Sequence, residues 1–320
     1  MTQEIFISDK VSQKISKFDS IIFDCDGVLV DIRKSYDNAI KKTISTIMKE
    51  LFNDDIGDVV TSKIHFGLKA VGGFNDEVAV AYALVMTLVA AKKSKIEFKK
   101  LINDVINNAD ESGINSIDKY FKSQNIDLSE IKSKLDYENS RKLSYIHQVF
   151  NQLFYGQSLY EQIFNKKSKF PQSPLIDLDE IILDEKLVLK LENRFGNKIS
   201  TVTGRGNFAF SYSMKNFLNY FDMKNSVFLE DCPLEMAKPN PKSLIESISG
   251  INSKCSLYIG DSMEDLMMVE KCKEHGYDVS FCGIYGSSDE PELKYELFQK
   301  NKASFILESI QELPKALNLV

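Results

Sequence analysis

Short apolar runs alternate with longer segments of helical periodicity along the second part of this chain. The runs at 227–229, 256–259, 279–284 and 305–306, and one that ends at Thr203, have the length and composition of buried strands. Helical segments lie between them, and this alternation predicts a parallel sheet with helices on both faces. An earlier apolar run predicts a first strand at residues 17–24.

The region from Asp31 to Lys198 carries helical periodicity and no convincing strand signal. Helices are predicted from residue 35 to 51, from an N-cap at Asn75 through Ala91, and around 98–105 and 146–153. The segment 64–74 contains three glycines and predicts a bent connection. We therefore expect an α/β, Rossmann-like core made of residues 1–31 and 180–320, with residues 32–179 forming an inserted, mainly α-helical domain.

Composition narrows the function classes. A length of 320 residues favours two domains, and a net charge of -6 argues against nucleic acid as a partner. The longest apolar run, Val78 to Ala91, is too short for the roughly 20 residues that span a bilayer, so no membrane partner is expected. Five cysteines without a CxxC pair predict small buried side chains in a reducing compartment. With no signal-peptide pattern at the start, we expect a cytoplasmic protein. No pattern predicts the oligomeric state.

The first strand is followed by the most informative stretch, Phe23-Asp24-Cys25-Asp26-Gly27. If the chain bends after Phe23, the carboxylates of Asp24 and Asp26 can converge at the carboxyl end of the sheet, where open α/β folds bind ligands. Two such acids repel each other unless a cation lies between them, and Mg²⁺ is the usual oxygen-ligated ion beside a phosphate. The alternative is a strand that ends in an ordinary Asp-Gly turn.

Three further motifs follow in order: Thr203-Gly204-Arg205 after an apolar run, Lys238-Pro239-Asn240-Pro241, and Gly260-Asp261-Ser262-Met263-Glu264-Asp265 after another apolar run. With these motifs the chain resembles the haloacid dehalogenase superfamily, over residues 18 to 34 and 180 to 317. The resemblance is to the phosphatase branch with an enlarged helical type 1 cap, similar to subfamily IA. It implies that the helical insertion is a cap that closes over the active site.

The resemblance also implies roles for the first two acids and their partners. Asp24 is expected to be the nucleophile that attacks phosphorus. Asp26 is expected to protonate the leaving oxygen and then to deprotonate the hydrolytic water. Asp261 would complete a Mg²⁺ site with an Asp24 oxygen and the Asp26 backbone carbonyl. Asp265 would orient Lys238 or a metal-bound water from behind. The alternative for Gly260-Asp261-Ser262 is a helix N-cap turn.

Further residues would hold the phosphate. The Thr203 hydroxyl and the Gly204 amide are expected to bind phosphate oxygens, and the Lys238 ammonium to stabilise the charge of the transferring group. Arg205 would either steer the substrate phosphate or simply begin the next helix.

In the insertion, the stretch from Lys69 to Asp76 also resembles a little-characterised phosphatase subgroup with a Gly-Gly-Phe-Asn element. That resemblance implies no substrate. The glycine-softened bend of this stretch would let backbone approach a ligand, and Lys69 and Asn75 offer a cation and an amide within it. They are candidate substrate residues for that reason, against the alternative of a loop followed by a helix N-cap.

These patterns predict a Mg²⁺-dependent phosphomonoester phosphatase that acts on a small phosphorylated metabolite through an aspartyl-phosphate intermediate. Two alternatives stay open. A phosphomutase of the β-phosphoglucomutase type carries the same motifs but protects its phosphoenzyme from water. A non-catalytic protein that binds a phosphorylated ligand would use the same site without turnover.

Overall fold

The chain forms two compact units in a computed structural model that describes residues 5–56, 59–74, 76–137 and 144–319. The first unit combines Met1–Arg33 with Asp179–Val320, and the second is the continuous segment Lys34–Leu178. Asn75, a candidate substrate residue, lies outside the described residues.

A seven-stranded sheet forms the centre of the first unit, in the order β1-β9-β8-β7-β2-β5-β6. Every pair of neighbours is parallel except β1 and β9, which are antiparallel. This confirms the predicted α/β fold class. The strands of the chain are β1 Phe6–Ile7, β2 Ser20–Phe23, β3 Val30–Asp31, β4 Glu180–Ile181, β5 Ile199–Thr203, β6 Val227–Phe228, β7 Ser256–Gly260, β8 Val279–Ile284 and β9 Phe305–Leu307.

Strand β2 lies inside the sheet and is buried on both faces. Ile21 and Phe23 belong to the hydrophobic cluster on one face, whereas Ile22 belongs to the cluster on the other face. This alternation is the period of two that side chains have in a strand. The neighbours of β2 are β5 and β7, both parallel to it. The carboxyl ends of these three strands therefore lie side by side.

Helices account for most of the remaining described residues. Those of the first unit are α1 Asp9–Ser12, α9 Glu185–Phe195, α10 Asn207–Ser213, α11 Lys242–Gly250, α12 Met263–Glu274, α13 Pro291–Lys300 and α14 Leu313–Ala316. Those of the second unit are α2 Arg33–Phe52, which begins at the boundary residue, α3 Ser62–Ala70, α4 Glu77–Ser94, α5 Phe98–Asn108, α6 Ile114–Ser123, α7 Ser129–Leu135 and α8 Tyr145–Phe164.

Some local predictions for residues 31–198 were wrong. The segment predicted as a bend at 64–74 is largely helix α3, which tolerates Gly67 in its interior. Helix α4 is capped by Asp76, whose carboxylate accepts from the Val78 amide, and not by Asn75. Two strands also occur that were not predicted. They are β3 and β4, which pair antiparallel over two residues each. Strands this short leave no periodicity to detect.

None of the helices in the described residues has the length and apolar character needed to cross a membrane. All five cysteines are free thiols, and four of them are buried. The prediction that they are small buried side chains therefore holds for all but Cys232.

A partly exposed polar contact connects the start of β2 to the turn before β7. The Asp19 carboxylate accepts hydrogen bonds from Ser253 Oγ at 2.6 Å, from the Lys254 amide and from the Cys255 amide. Burial alone would raise the pKa of Asp19, but these hydrogen bonds outweigh it and lower the pKa to about 2.

We expect Asp19→Asn to destabilise the protein by about 1–2 kcal/mol at pH 7, allowing for the partial exposure of this side chain. Because the folded-state pKa lies below the unfolded value of 3.8, the stabilisation is complete above about pH 5. It is lost as the pH falls toward 2. Urea unfolding of both proteins should give the same difference in unfolding free energy at pH 7 and pH 5, and a smaller difference at pH 3.5. Asp9→Asn, at an exposed acid, serves as the control, and a similar loss in that variant would contradict the assignment.

Candidate active site

The ends of three neighbouring strands place the predicted catalytic residues at one edge of the sheet. Asp24 directly follows β2, Thr203 is the last residue of β5, and Asp261 directly follows β7. Phe23 is aligned with Ile259, and the Asp24 amide donates to the Ile259 carbonyl at 2.8 Å, so the parallel pairing continues one residue beyond the strand. Residues that are far apart in the chain thus lie close together, because the parallel strands that precede them end side by side.

The Lys238 ammonium lies between two buried carboxylates. Its Nζ is 3.0 Å from Asp24 Oδ1 and 2.8 Å from Asp265 Oδ1, and all three side chains are at most 4% exposed. Asp24 Oδ1 also accepts from the Cys25 amide at 2.8 Å. Lys238 reaches this position from the loop after β6, which an isolated Lys-Pro motif does not reveal.

Burial and charge shift the pKa values of this trio in different directions. Burial, reinforced by neighbouring acids, outweighs the opposing effect of Lys238 and raises the pKa of Asp24 to about 8. Burial would lower the pKa of Lys238, but the Asp24 and Asp265 carboxylates raise it. Burial would raise the pKa of Asp265, yet the Lys238 ammonium lowers it. Near neutral pH and without a metal, Lys238 and Asp265 are therefore an ion pair, and the proton of the site resides on Asp24.

Asp265 is held from several sides. Tyr258 Oη lies 2.8 Å from its Oδ1, while the Asp261 amide and the amide and hydroxyl of Ser262 donate to its Oδ2. The Ser262 hydroxyl in turn accepts from the Asp265 amide, which completes a capping box at the start of α12. The predicted alternative of an N-cap turn is thus present in the same residues. Tyr258 was missed as a site residue, although a buried tyrosine hydroxyl needs a partner and could have signalled one.

Two glycines allow this close packing. A Cβ at Gly260 would lie 2.6 Å from the Asp265 side chain, and a Cβ at Gly27 would lie 2.3 Å from Asp261 Oδ2. Gly27 also has a φ of +72°, which favours glycine. The Asp-Gly turn therefore brings the loop after β2 against the carboxylate of Asp261.

The residues present fit a divalent cation. Carboxylate oxygens of Asp24, Asp261 and Asp265 lie within 4.8 Å of one another, and such hard oxygen donors suit Mg²⁺ or Ca²⁺. Asp265 is already bonded to Lys238, Tyr258 and the backbone, so Asp24 and Asp261 are the better suited ligands. These are two of the three predicted metal residues. For the third, Asp26, a backbone carbonyl was predicted, and its side chain points elsewhere.

The Asp26 carboxylate contacts the guanidinium of Arg205. Arg205 has a fully buried side chain, and its NH1 also lies 2.8 Å from Asp179 Oδ2 and 2.9 Å from Ser213 Oγ. Helix α10 begins only at Asn207, so Arg205 does not begin it. The arginine thus holds Asp26 against the segment that enters the unit at Asp179, and its predicted contact with the substrate phosphate stays a prediction.

Thr203 and Gly204 differ in their surroundings. The buried Thr203 hydroxyl accepts from the Arg205 amide at 3.2 Å, so its own hydrogen can still be donated. Apart from Gly204 itself and its two neighbours in the chain, no described heavy atom lies within 4 Å of the position that a Cβ on Gly204 would take. After Arg205, the amides of Gly206 and Asn207 donate to the carboxylates of Glu230 and Asp231. An anion at this edge would therefore meet Thr203 and Gly204 before the start of α10.

A second lysine contacts the site and was not anticipated. Lys294, in α13, places Nζ 2.6 Å from Asp261 Oδ2. Ser287, in the preceding loop, donates its hydroxyl to the Gly27 carbonyl. Neither residue belongs to a motif, and a lysine at this helical position reads as an ordinary surface residue, so sequence carried no signal for it.

In the second unit, Lys69 pairs with the buried carboxylate of Glu77, whose other oxygen lies 3.1 Å from His65 Nε2. Burial would raise the pKa of Glu77, but Lys69 and His65 outweigh it and lower the pKa to about 2. This pairing accounts for a lysine at position 69. Its predicted contact with substrate stays a prediction.

Comparison with known proteins shows the fold. No family model and no curated protein matches the chain. A phosphatase from Thermococcus thioreducens is similar in structure with a TM-score of 0.57 and 23% identity, over 87% of this chain and 98% of that protein. A protein described as a haloacid dehalogenase-like hydrolase, from Bacteroides fragilis, matches with a TM-score of 0.49 and 15% identity, over 92% of this chain and 99% of that protein. The chain therefore shares its fold with a solved phosphatase. The superfamily and the activity expected from the motifs stay a resemblance.

We expect the affinity for Mg²⁺ to rise with pH between about 6.5 and 7.5. A cation bound by Asp24 must displace the proton that burial keeps there, so the apparent affinity should rise by up to about 10-fold over this unit and level off above pH 8. Calorimetric titration with Mg²⁺ at the two pH values measures this. Asp24→Asn should bind more weakly and lose the pH dependence. Equal affinity of the unaltered protein at both values would contradict the proton assignment.

We expect Arg205→Met to destabilise the protein by about 3–5 kcal/mol, because it removes the guanidinium that lies between the Asp26 and Asp179 carboxylates. The double variant Arg205→Met/Asp179→Asn should recover a large part of this loss, since it also removes the buried charge. Urea unfolding of four proteins, the unaltered protein, Arg205→Met, Asp179→Asn and the double variant, measures both effects. If the double variant is as unstable as the two single variants added together, the ion pair is not the cause.

Proposed function

We propose that the chain is a Mg²⁺-dependent phosphomonoester phosphatase that acts on a small phosphorylated metabolite. The observation that carries this proposal is the buried trio of Asp24, Lys238 and Asp265 beside Asp261 at the carboxyl ends of β2 and β7. It combines a nucleophile, a fixed cation and a metal-binding set. The shared fold with a phosphatase from Thermococcus thioreducens supports the same class of reaction.

In the first step, an Asp24 carboxylate oxygen attacks phosphorus, the bond from phosphorus to the leaving oxygen breaks, and Asp26 gives a proton to that oxygen. In the second step, water attacks the phosphorus of the aspartyl-phosphate and passes a proton to Asp26. Phosphate then leaves and the Asp24 carboxylate is restored. Over the two steps, the phosphate ester and one water are consumed, and Asp24 and Asp26 return to their starting protonation states. The reaction therefore needs no reactant besides the ester and water.

The remaining residues position and neutralise the phosphoryl group. Phosphoryl transfer depends mostly on positioning and on electrostatic stabilisation, because charge is spread over the equatorial oxygens. Lys238 supplies an ammonium that Asp265 holds in place, and Thr203 and Gly204 offer donors at the open end of β5. Arg205 keeps Asp26 in position from behind.

Mg²⁺, when bound, neutralises the charge of Asp24 and of the phosphate, so that the two anions can approach each other. The carboxylates of Asp24 and Asp261 and the backbone carbonyl of Asp26 would hold it. Substrate selection belongs to the second unit in this proposal, with Lys69 and Asn75 as candidate contacts. The pairing of Lys69 with Glu77 also supports a purely structural role for that lysine.

With Mg²⁺ present, the protein should release inorganic phosphate from some members of a broad panel of phosphorylated metabolites. Asp24→Asn should fold normally and lose at least about 1000-fold in kcat/KM, because no other residue supplies the attacking oxygen. Phosphate release and circular dichroism measure the two quantities, and Asp9→Asn is the control. Substantial turnover by a folded Asp24→Asn protein would contradict the mechanism.

The same assay separates the alternatives. Turnover that requires a bisphosphate activator and yields an isomeric phosphate ester identifies a phosphomutase. Tight binding of a phosphate ester without any turnover identifies a phospholigand-binding protein.

A further inference from the structure

Helix α13, which follows all of the motifs in the chain, contributes a cation to the acidic cluster of Asp24, Asp261 and Asp265. Lys294 Nζ lies 2.6 Å from Asp261 Oδ2, and its side chain is only 13% exposed. The Asp261 side chain is 20% exposed, so the contact lies largely out of solvent. An ion pair in such surroundings is screened much less by salt than one on the surface.

The same oxygen is confined on its other side. A Cβ on Gly27 would lie 2.3 Å from Asp261 Oδ2, so the backbone of the Asp-Gly turn already lies against it. Ser287, seven residues before Lys294, fixes that turn through the Gly27 carbonyl. The loop and helix at 287–294 therefore hold both the turn after β2 and the acid after β7.

The charges of the cluster show what Lys294 does there. Two ammonium groups contact the acids of this cluster. Lys238 contacts Asp24 and Asp265, and Lys294 contacts Asp261. A divalent cation bound by Asp24 and Asp261 would have to share Asp261 with Lys294. Like charges that share one ligand in a weakly screened site repel each other.

We propose that Lys294 is a built-in competitor of the divalent cation at Asp261 and limits the metal affinity of the site. This inference rests on the proposed function only in that it takes Asp24 and Asp261 as metal ligands. The opposite role is a hydrogen-bond donor that orients Asp261 for the metal, in which case the loss of Lys294 would weaken binding, as the loss of an outer-shell partner commonly does.

Three substitutions at one position separate charge from hydrogen bonding. Lys294→Gln removes the charge and keeps a donor, Lys294→Met removes both, and Lys294→Arg keeps both. Competition by charge predicts that the Gln and Met variants bind Mg²⁺ about tenfold more tightly than the unaltered protein, because they remove a like charge beside the cation, whereas the Arg variant stays within about threefold of it. Lys300→Met, at an exposed position of the same helix, should change nothing.

The measurement is calorimetric titration of the metal-free proteins with Mg²⁺ alone, repeated with Mn²⁺ by electron paramagnetic resonance, so that it does not depend on turnover. Unchanged or weaker binding by the Gln and Met variants would overturn the proposal, and so would an Arg variant that binds as tightly as they do. Absence of any Mg²⁺ binding by the unaltered protein would instead contradict the metal site of the proposed function.

Discussion

The ammonium of Lys238 lies between the carboxylates of Asp24 and Asp265, and the rest of the site depends on this contact. Three ionisable groups that are nearly fully buried are tolerable only because each has a polar partner within 3.0 Å. Lys238 and Asp265 form an ion pair, and Asp24, which keeps a proton in the absence of a metal, lies 3.0 Å from the same ammonium. The sheet brings Asp24 and Asp265 to the same edge, whereas Lys238 comes from an irregular loop. The contact therefore joins the sheet, which is the rigid part of the fold, to a loop, which is the kind of segment that varies most between proteins.

The packing around this trio leaves little freedom to move. Tyr258 and the capping box of α12 hold Asp265, and Asp265 in turn holds Lys238. Gly260 is required because a Cβ at this position would lie 2.6 Å from the Asp265 side chain. A reaction that depends on electrostatic preorganisation benefits from such a chain of supports, since the charges are in place before the substrate arrives. The cap of helix α12 and the candidate active site therefore share the same residues. The sequence offered an N-cap turn and a site as alternatives, but the two occur together.

Sequence predicted the α/β core because its strands are buried on both faces and read as continuous apolar runs, and because each motif directly follows such a run. It failed where a structure is too short or too distant to leave a pattern. Strands β3 and β4 have two residues each. Gly67 lies inside helix α3, and a glycine there led to the prediction of a bend. Lys294 and Asp179 lie far along the chain from their partners and show no periodicity that relates them. The site roles of Asp24, Asp26, Thr203 and Lys238 stay predictions.

The place of β2 in the sheet has a consequence for biosynthesis. Its neighbours β5 and β7 begin about 175 and 230 residues later in the chain. At a ribosomal rate of about 5–20 residues per second, the strand that carries the nucleophile waits roughly 10–35 s before its first partner has been made. The continuous segment Lys34–Leu178 is synthesised during that interval and has its own compact core. The nascent chain thus has to keep an apolar strand out of wrong pairings while a helical unit forms behind it, well before either neighbouring strand exists.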